Sequence, residues 1–357
     1  MTRMMRVLTS TRRRRRLWQR HQSILYALHP DRLPAESIRL TYTFGLGGIS
    51  ILAATLTILT GLFLTLYYQP TPEEAHASIV LIEDVVAFGS LIRALHYWAA
   101  QLFVLAVTLH MARIVFTGAY ARPRRLNWLI GLGLLVLVLL WDFSGYVLRW
   151  DEGAHWALLV GTNLVGRIPH LGRSLYLVLV GDRQIGEAAL LRFYGWHVIG
   201  LTLPVVFGIV YHLFRLRVDG GISRPPRPAG RPRRMVSKEV LFQRETIAAL
   251  LITGGLLLLS ALRPAPLGAS ASLDRPPPTA QAPWIFLWVQ RLLRHLPPFW
   301  AGVGIPLALL TLLAAIPWLD PHARAGRWFD RRRGPVQALF AFIALLLIVL
   351  TVGEVIP

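Results

Sequence analysis

The chain has 357 residues, 54% of them hydrophobic, and a positive mean hydropathy, which excludes an ordinary water-soluble enzyme and fits a protein of the bilayer. Its net charge of +20 would suit a nucleic-acid binder, but the arginines crowd into alternate connections, so the charge reads as membrane topology and lipid-headgroup attraction, with no nucleic acid as partner. There is no cysteine, which rules out disulfides, thiolate-bound clusters and thioether-linked cofactors within this chain.

Residues 1–20 are basic, with Arg12 to Arg16 unbroken, and carry no apolar core of signal-peptide length. Residues 17–40 mix Leu17, Trp18, Ile24, Leu25 and Leu28 with Arg and His, a pattern that predicts a helix lying in the interface. Apolar runs predict seven transmembrane helices at 46–67, 90–116, 128–148, 192–214, 246–262, 300–318 and 336–356. The basic tail, Arg113 with Arg122, Arg124 and Arg125, the arginines from Arg215 to Arg244, and Arg324 to Arg333 then fall on one side. Glu73, Glu74, Glu83 and Asp84 fall on the other. The positive-inside rule places the N-terminus in the cytoplasm and the C-terminus outside, as in a multi-pass protein of a bacterial-type cytoplasmic membrane.

A Gly, Pro and Arg-rich break at 219–238 divides the chain. The expected organisation is a tail and interfacial helix over 1–45, a four-span half over 46–218, a cytoplasmic linker over 219–245 and a three-span half over 246–357. A Pro-rich stretch, 263–283, leads into residues 284–296, which are too short and too charged to span and are expected on the outer surface.

Two of the predicted spans carry paired histidines. His96 and His110 are 14 residues apart, and His197 and His212 are 15 apart. Such offsets close near four helical turns, so each pair shares a face, with its members about 21 Å apart along the axis. Two such helices facing each other make two stacked bis-imidazole sites. Iron porphyrin is the partner that makes such costly intramembrane imidazoles tolerable. The alternative is four unrelated polar residues at helix contacts. Gly47 and Gly61, and Gly131 and Gly145, repeat the 14-residue interval and would let backbones approach flat macrocycles, although glycine also serves bare helix contacts. Arg93 and Arg113 stand one turn beyond His96 and His110, placed either to meet haem propionates or to snorkel.

These residues carry a family resemblance. Leu59 to Phe63, Tyr67-Tyr-Gln-Pro-Thr71, Ile92-Arg-Ala-Leu-His96, His110-Met-Ala-Arg113, Gly145-Tyr-Val-Leu-Arg-Trp150, Arg167-Ile-Pro169 and Arg192-Phe-Tyr194 resemble, in order and spacing, the cytochrome b of bc-type complexes. The 15-residue interval and Gly221-Ile-Ser223 look like the chloroplast-type photosynthetic branch, with its small three-span subunit fused on. The resemblance implies that His96 and His197 bind an outer b-type haem and His110 and His212 an inner one. It also implies quinone contacts around Tyr146, Pro169, Pro283 and Trp284 outside. Arg217 and Asp219 could offer a donor and an acceptor to a quinone inside, or form a plain helix-terminal charge pair.

The chain departs from that family in three places. The family's outer Pro-Glu-Trp-Tyr motif reads Ala282-Pro283-Trp284-Ile285 here, and proline has no group to take a proton. Asp151, Glu152, Asp142 and Glu187 are substitutes by residue type alone, each equally readable as a solvated charge. Arg149-Trp150 replaces the Pro-Trp before the outer loop. Gly45 stands where the chloroplast-type branch has the cysteine that anchors a third haem, so any third haem would lack that anchor. His155, His170, His295 and His322 lie outside the paired positions and could shuttle protons or sit at the interface.

The reading is an all-α integral membrane protein: a four-helix dihaem bundle followed by a three-helix half. It would conduct electrons as the cytochrome b subunit of a quinol-oxidising, proton-translocating complex, the homodimeric core of a larger assembly. A Rieske-type iron–sulfur protein on a separate chain, a c-type cytochrome or equivalent acceptor, and the quinone pool would be its partners. Two alternatives stay open: a dihaem conduit with an inactive outer quinol site, and a histidine-lined proton or metal transporter.

Overall fold

A computed structural model describes residues 31–225, 234–271, 281–324 and 326–355. Among the described residues, seven helices are long and apolar enough to cross a membrane: Leu46–Leu64, Gly89–Thr117, Arg125–Val147, Glu187–Val218, Lys238–Leu262, Trp300–Leu319 and Arg331–Val355. In sequence order they are the first to seventh spans. The shortest has 19 residues, about 28 Å of helix, which matches a hydrocarbon core. Lipid offers the backbone no hydrogen-bond partners, so Leu-rich runs with few charges resolve into helices that satisfy themselves. The fold is all-α and integral to the membrane, as expected. The fourth and fifth spans begin at Glu187 and Lys238, earlier than their hydropathy alone marks.

The first four spans pack around Ala53, Ala54, Phe103, Val104, Val138, Trp141 and Val205, a buried apolar plug at mid-depth. Two spans contain a single wide turn, Trp196–Gly200 in the fourth and Trp300–Gly304 in the sixth. In the fourth, Leu201 N donates to Trp196 O at 2.7 Å, an i to i+5 bond. Pro204 follows it and Pro306 follows its counterpart. Proline lacks a donor and crowds the carbonyl four residues back, so a widened turn ahead of it relieves that crowding.

The two halves are joined on the basic side by Val115, Tyr120 and Trp128 against Ile316 and Phe340. A buried polar knot lies beside them. Arg333 Nε donates to Asp320 Oδ2 at 2.7 Å, and Arg333 Nη2 donates to Tyr120 Oη at 2.8 Å and to Val115 O at 2.6 Å.

On the opposite face, helices Ala75–Asp84, Glu152–Gly166 and Gly172–Val180 roof the bundle, with Trp150, Leu158, Val180, Leu190 and Phe193 at their core. Hydropathy did not separate these helices from loop. Part of the Pro-rich stretch, residues 263–271, is strapped beneath them. Gly268 N donates to Asp151 Oδ2 at 2.9 Å, Glu152 N to Ala269 O at 3.0 Å, and Ala271 N to Trp150 O at 3.2 Å.

The predicted interfacial helix over 17–40 is not upheld where it can be followed. Its residues before Asp31 lie outside the described part. Arg32–Pro34 is a strand antiparallel to Met235–Ser237, with Pro34 opposite Met235, and Ala35–Ile38 is a 3-10 turn. Pro34 has no N–H and holds an extended ψ of 127°, which stops a helix there. The linker expected over 219–245 is shorter for the same reason: from Met235 on it is strand and then helix. Residues 226–233 and 272–280 lie outside the described part.

Candidate functional site

The paired histidines come together across the bundle. The ring centroids of His96 and His197 are 6.3 Å apart, with planes 75° from parallel. Two metal–nitrogen bonds of about 2 Å, each nitrogen about 1.1 Å from its own ring centre, span about 6.2 Å, so one metal fits between these rings. His96 Nδ1 lies 3.0 Å from Thr57 O and 3.0 Å from Thr60 Oγ1; His197 Nδ1 lies 3.1 Å from Trp141 O and 3.0 Å from Ser144 Oγ. A carbonyl only accepts, so each Nδ1 carries the proton and donates. Each Nε2 is left with a free lone pair, the form that ligates a metal.

One level deeper, His110 and His212 lie within electrostatic reach of each other. His212 Nδ1 is buried and faces the Asn127 backbone carbonyl, with no hydroxyl beside it. Hydroxyls thus support the outer pair, where Thr60 precedes Gly61 and Ser144 precedes Gly145. At the inner level Leu46 and Ile130 precede the glycines. The Thr/Ser-Gly dipeptides at 60–61 and 144–145 are the sequence signal that sets the outer level apart from the inner.

Each glycine of the two pairs faces one histidine. A Cβ built on Gly61 would stand 2.9 Å from His96 Cε1, one on Gly145 2.6 Å from His197 Cε1, one on Gly131 3.2 Å from His212 Cε1, and one on Gly47 3.7 Å from His110 Cε1. The glycines therefore make room for the imidazoles themselves, a tighter role than general backbone approach. Among the described residues no cluster of three or more metal-ligating side chains exists, so the histidine pairs are the available donors. Lone-pair-ready imidazoles, a metal-sized gap and Cβ-free walls fit an iron porphyrin between His96 and His197.

The flanking arginines differ from each other. Arg93 is buried and committed, pairing with Glu83 through Nε at 2.7 Å and donating Nη2 to Ala265 O at 2.5 Å. Arg113 is also buried, with Nε donating to Tyr42 O at 3.3 Å, its guanidinium 4.5 Å over the Tyr42 ring and Nη2 unpartnered. Arg113 keeps capacity for an anion. Asp219 is held by Arg215 at 2.8 Å, a helix-terminal charge pair one turn long. Burial pushes the Asp219 carboxyl above the usual carboxylate range, opposed by Arg215 and Arg124. A Cβ at Gly45 would meet no atom within 4 Å.

Among the outer candidates, Asp151 is 1% exposed and occupied, capping its helix by accepting from Ala154 N at 2.8 Å while holding Gly268 and Arg149. Glu152 sits in the first turn of the roof helix and Glu187 is exposed at the start of the fourth span. Pro169 is on an exposed turn. Pro283 caps the turn Trp284–Phe286, Trp284 Nε1 donates to Gln101 Oε1 at 2.5 Å, and Phe286 meets Phe143 edge-on at 5.7 Å. Tyr146 is 4.1 Å beneath the Arg149 guanidinium.

The cytochrome b/b6/petB family profile matches residues 33–220. The chain belongs to the cytochrome b/b6 family. It is 42% identical to cytochrome b6 of Heliobacterium mobile over 199 residues, 56% of this chain and 91% of that one. It is 34% identical over 185 residues to the cytochrome b subunit of a menaquinol:cytochrome c reductase from Geobacillus thermodenitrificans, 52% of this chain and 82% of that one. A solved structure described as a hyperthermophilic respiratory Complex III superposes with a TM-score of 0.79 at 25% identity, covering 89% of this chain and 85% of that chain. The cytochrome b family is one of haem-binding membrane proteins of electron transport, and the likeness in structure runs on into the three-span half.

Proposed function

We propose that this cytochrome b carries electrons across the membrane through two b-type haems, as part of a quinol-oxidising, proton-translocating bc-type complex. The His96 and His197 pair carries the reading: 6.3 Å between ring centres, Nδ1 protons fixed on carbonyls, and a glycine against each ring. His110 and His212 would form the second level. Haem bound at each level supplies one-electron redox chemistry.

The chain's own residues do the positioning. Thr57, Thr60, Trp141 and Ser144 hold the outer imidazoles in one tautomer and orientation. The plug from Ala53 to Val205 keeps water from the space between levels. Arg113 offers an unpaired guanidinium edge to an inner propionate. Quinol would dock on the outer side near Tyr146, Phe143 and the Pro283–Phe286 turn. The basic connections favour a cytoplasmic N-terminus and an outer C-terminus in a bacterial-type cytoplasmic membrane. The relative named as a subunit of a menaquinol:cytochrome c reductase supports a complex with other subunits; a Rieske-type protein, a c-type cytochrome or equivalent acceptor, and a homodimeric core are the partners proposed from the family resemblance. The four-span dihaem half and the three-span half are proposed as its two functional domains.

The test is spectroscopic. Purified membranes carrying the chain and its partners should give b-type bands in a reduced-minus-oxidised spectrum, and quinol should reduce them. Absence of the bands would remove the haem reading. A second reading, a conduit with an inactive outer quinol site, draws on the proline at 283. Bands that are chemically reducible but never reduced by quinol would select it.

A further inference from the structure

One ionisable side chain in the outer half of the bundle has no assigned work. Asp142 lies in the third span five residues before its outer end, about 7.5 Å beneath it. It is half-buried, and among the described residues its carboxylate has no ion pair or hydrogen bond. A carboxylate in a membrane helix is costly, and an unpaired one marks a pathway for ions or protons.

The other acids nearby are taken. Glu83 pairs with Arg93, and Asp151 caps a helix and anchors the strap. Glu354 in the seventh span accepts from Arg294 at 2.5 Å and Gln290 at 3.0 Å.

Asp142 also stands beside the segment that lacks its acid. The next residue, Phe143, meets Phe286 of the Pro283–Phe286 turn. Across the interface with the second span, Tyr97 lies in the field of both Asp142 and Arg149. Gln101, one turn along from Tyr97, grips the Trp284 indole. The second and third spans therefore hold the turn after Pro283 through Gln101 and Phe143, the latter next to Asp142 in sequence. Outward of Asp142, Tyr146 follows at i+4, with Arg149 stacked over its ring at 4.1 Å and bridged to Asp151 at 3.2 Å. Tyr97 from the second span, with Tyr146 and Arg149 from the third span and its continuation, are the titratable groups known to face this track.

We infer that Asp142 accepts the proton of the outer quinol and passes it outward by way of the Tyr146 hydroxyl, with the Arg149 guanidinium stacked over that ring as a fixed charge that takes no proton itself. In that step the quinol O–H bond breaks, an O–H bond forms on an Asp142 oxygen, and the quinol is left as its quinolate anion. The inference rests on the quinol-oxidising reading above, which supplies the substrate.

The experiment follows quinol-driven b-band reduction against pH in the complete complex. The variants are Asp142→Asn, Asp142→Glu, and Asp142→Asn combined with Pro283→Glu. Loss of a general base should slow Asp142→Asn about a hundredfold at neutral pH, with b-band content and dithionite-reduced spectrum unchanged. Asp142→Glu should keep most of the rate with a displaced pH profile, and the added Pro283→Glu should recover part of what Asp142→Asn loses. Parent-like rates and an unmoved pH profile in both single variants would overturn the inference. Should Asp142→Asn fail to assemble, an unmoved profile in Asp142→Glu overturns it alone. No quinol-driven reduction in the parent complex would instead overturn the reading on which it rests, a separate result.

Discussion

Tyr120 donates its hydroxyl proton to Asp320 Oδ2 at 2.6 Å, a bond between residues 200 positions apart that ties the four-span half to the three-span half. Arg333 closes the triangle, and all three side chains are buried. Removing one partner strands a charge away from water. Arg333→Leu should therefore destabilise the folded protein by roughly 3–5 kcal/mol, and Tyr120→Phe by roughly 1–3 kcal/mol. The check is a lowered apparent melting temperature in detergent and new protease cuts between the halves, without altered b-band positions.

The four glycines should respond to alanine in a graded order. Their Cβ clearances to the histidine rings run 2.6, 2.9, 3.2 and 3.7 Å for Gly145, Gly61, Gly131 and Gly47. Gly145→Ala should displace His197 and cost most of the outer b-type absorbance, Gly61→Ala somewhat less, and Gly47→Ala almost none. Equal losses at all four positions would mean that the rings are not what the glycines accommodate.

Each level has only two protein donors, so replacing any one paired histidine should remove about half of the b-type absorbance. His96→Ala and His197→Ala should give the same residual spectrum, and His110→Ala and His212→Ala a different one in common. Full absorbance and unchanged potentials in His197→Ala would break the pairing.

His155 gives a pH test outside the spans. It is 6% exposed with Nδ1 unpartnered, and burial holds its pKa below the ordinary value. The neutral ring is favoured in the fold, so the unfolded chain binds the extra proton first. Stability should be unaffected above about pH 6.5 and should fall below it, by up to about 1.4 kcal/mol per pH unit until the folded pKa is reached. His155→Phe should flatten that acid limb in a melting series from pH 7.5 to about pH 5.

Orientation can be read with protease on sealed right-side-out vesicles. The arginine-rich connection between the fourth and fifth spans should survive despite its many sites, because the positive-inside rule puts it in the cytoplasm. Cleavage there from outside would exchange the outer and inner levels.

Much of this architecture was legible before any coordinates. Hydropathy located seven spans because a bilayer enforces length and composition together, and the histidine intervals located two levels because helical phase is periodic. Local pattern failed where partners decided the outcome. Arg32–Pro34 becomes a strand only because Met235–Ser237 lies beside it, and the roof helices have lengths that hydropathy cannot separate from loop. The surroundings of the acids were hidden for a related reason. Asp151 has the right residue type, but its helix start and its strap consume both oxygens, a fact carried by residues 117 positions away.

The wide turn at Trp196–Gly200 accounts for the unequal histidine intervals. In regular helices 14 residues fall about 40° short of four turns and 15 about 60° past them, so the two pairs would share their faces yet differ by about 100° in phase from each other. A turn closed by an i to i+5 bond swallows one residue with little added rotation. The fourth span thus counts 15 residues yet keeps the phase of 14, and its two imidazoles stay in register with His96 and His110 across the bundle. Pro204 is in effect a clutch between the outer and inner levels, and straightening that turn, which holds His197 itself, would detune one level against the other without replacing any ligand.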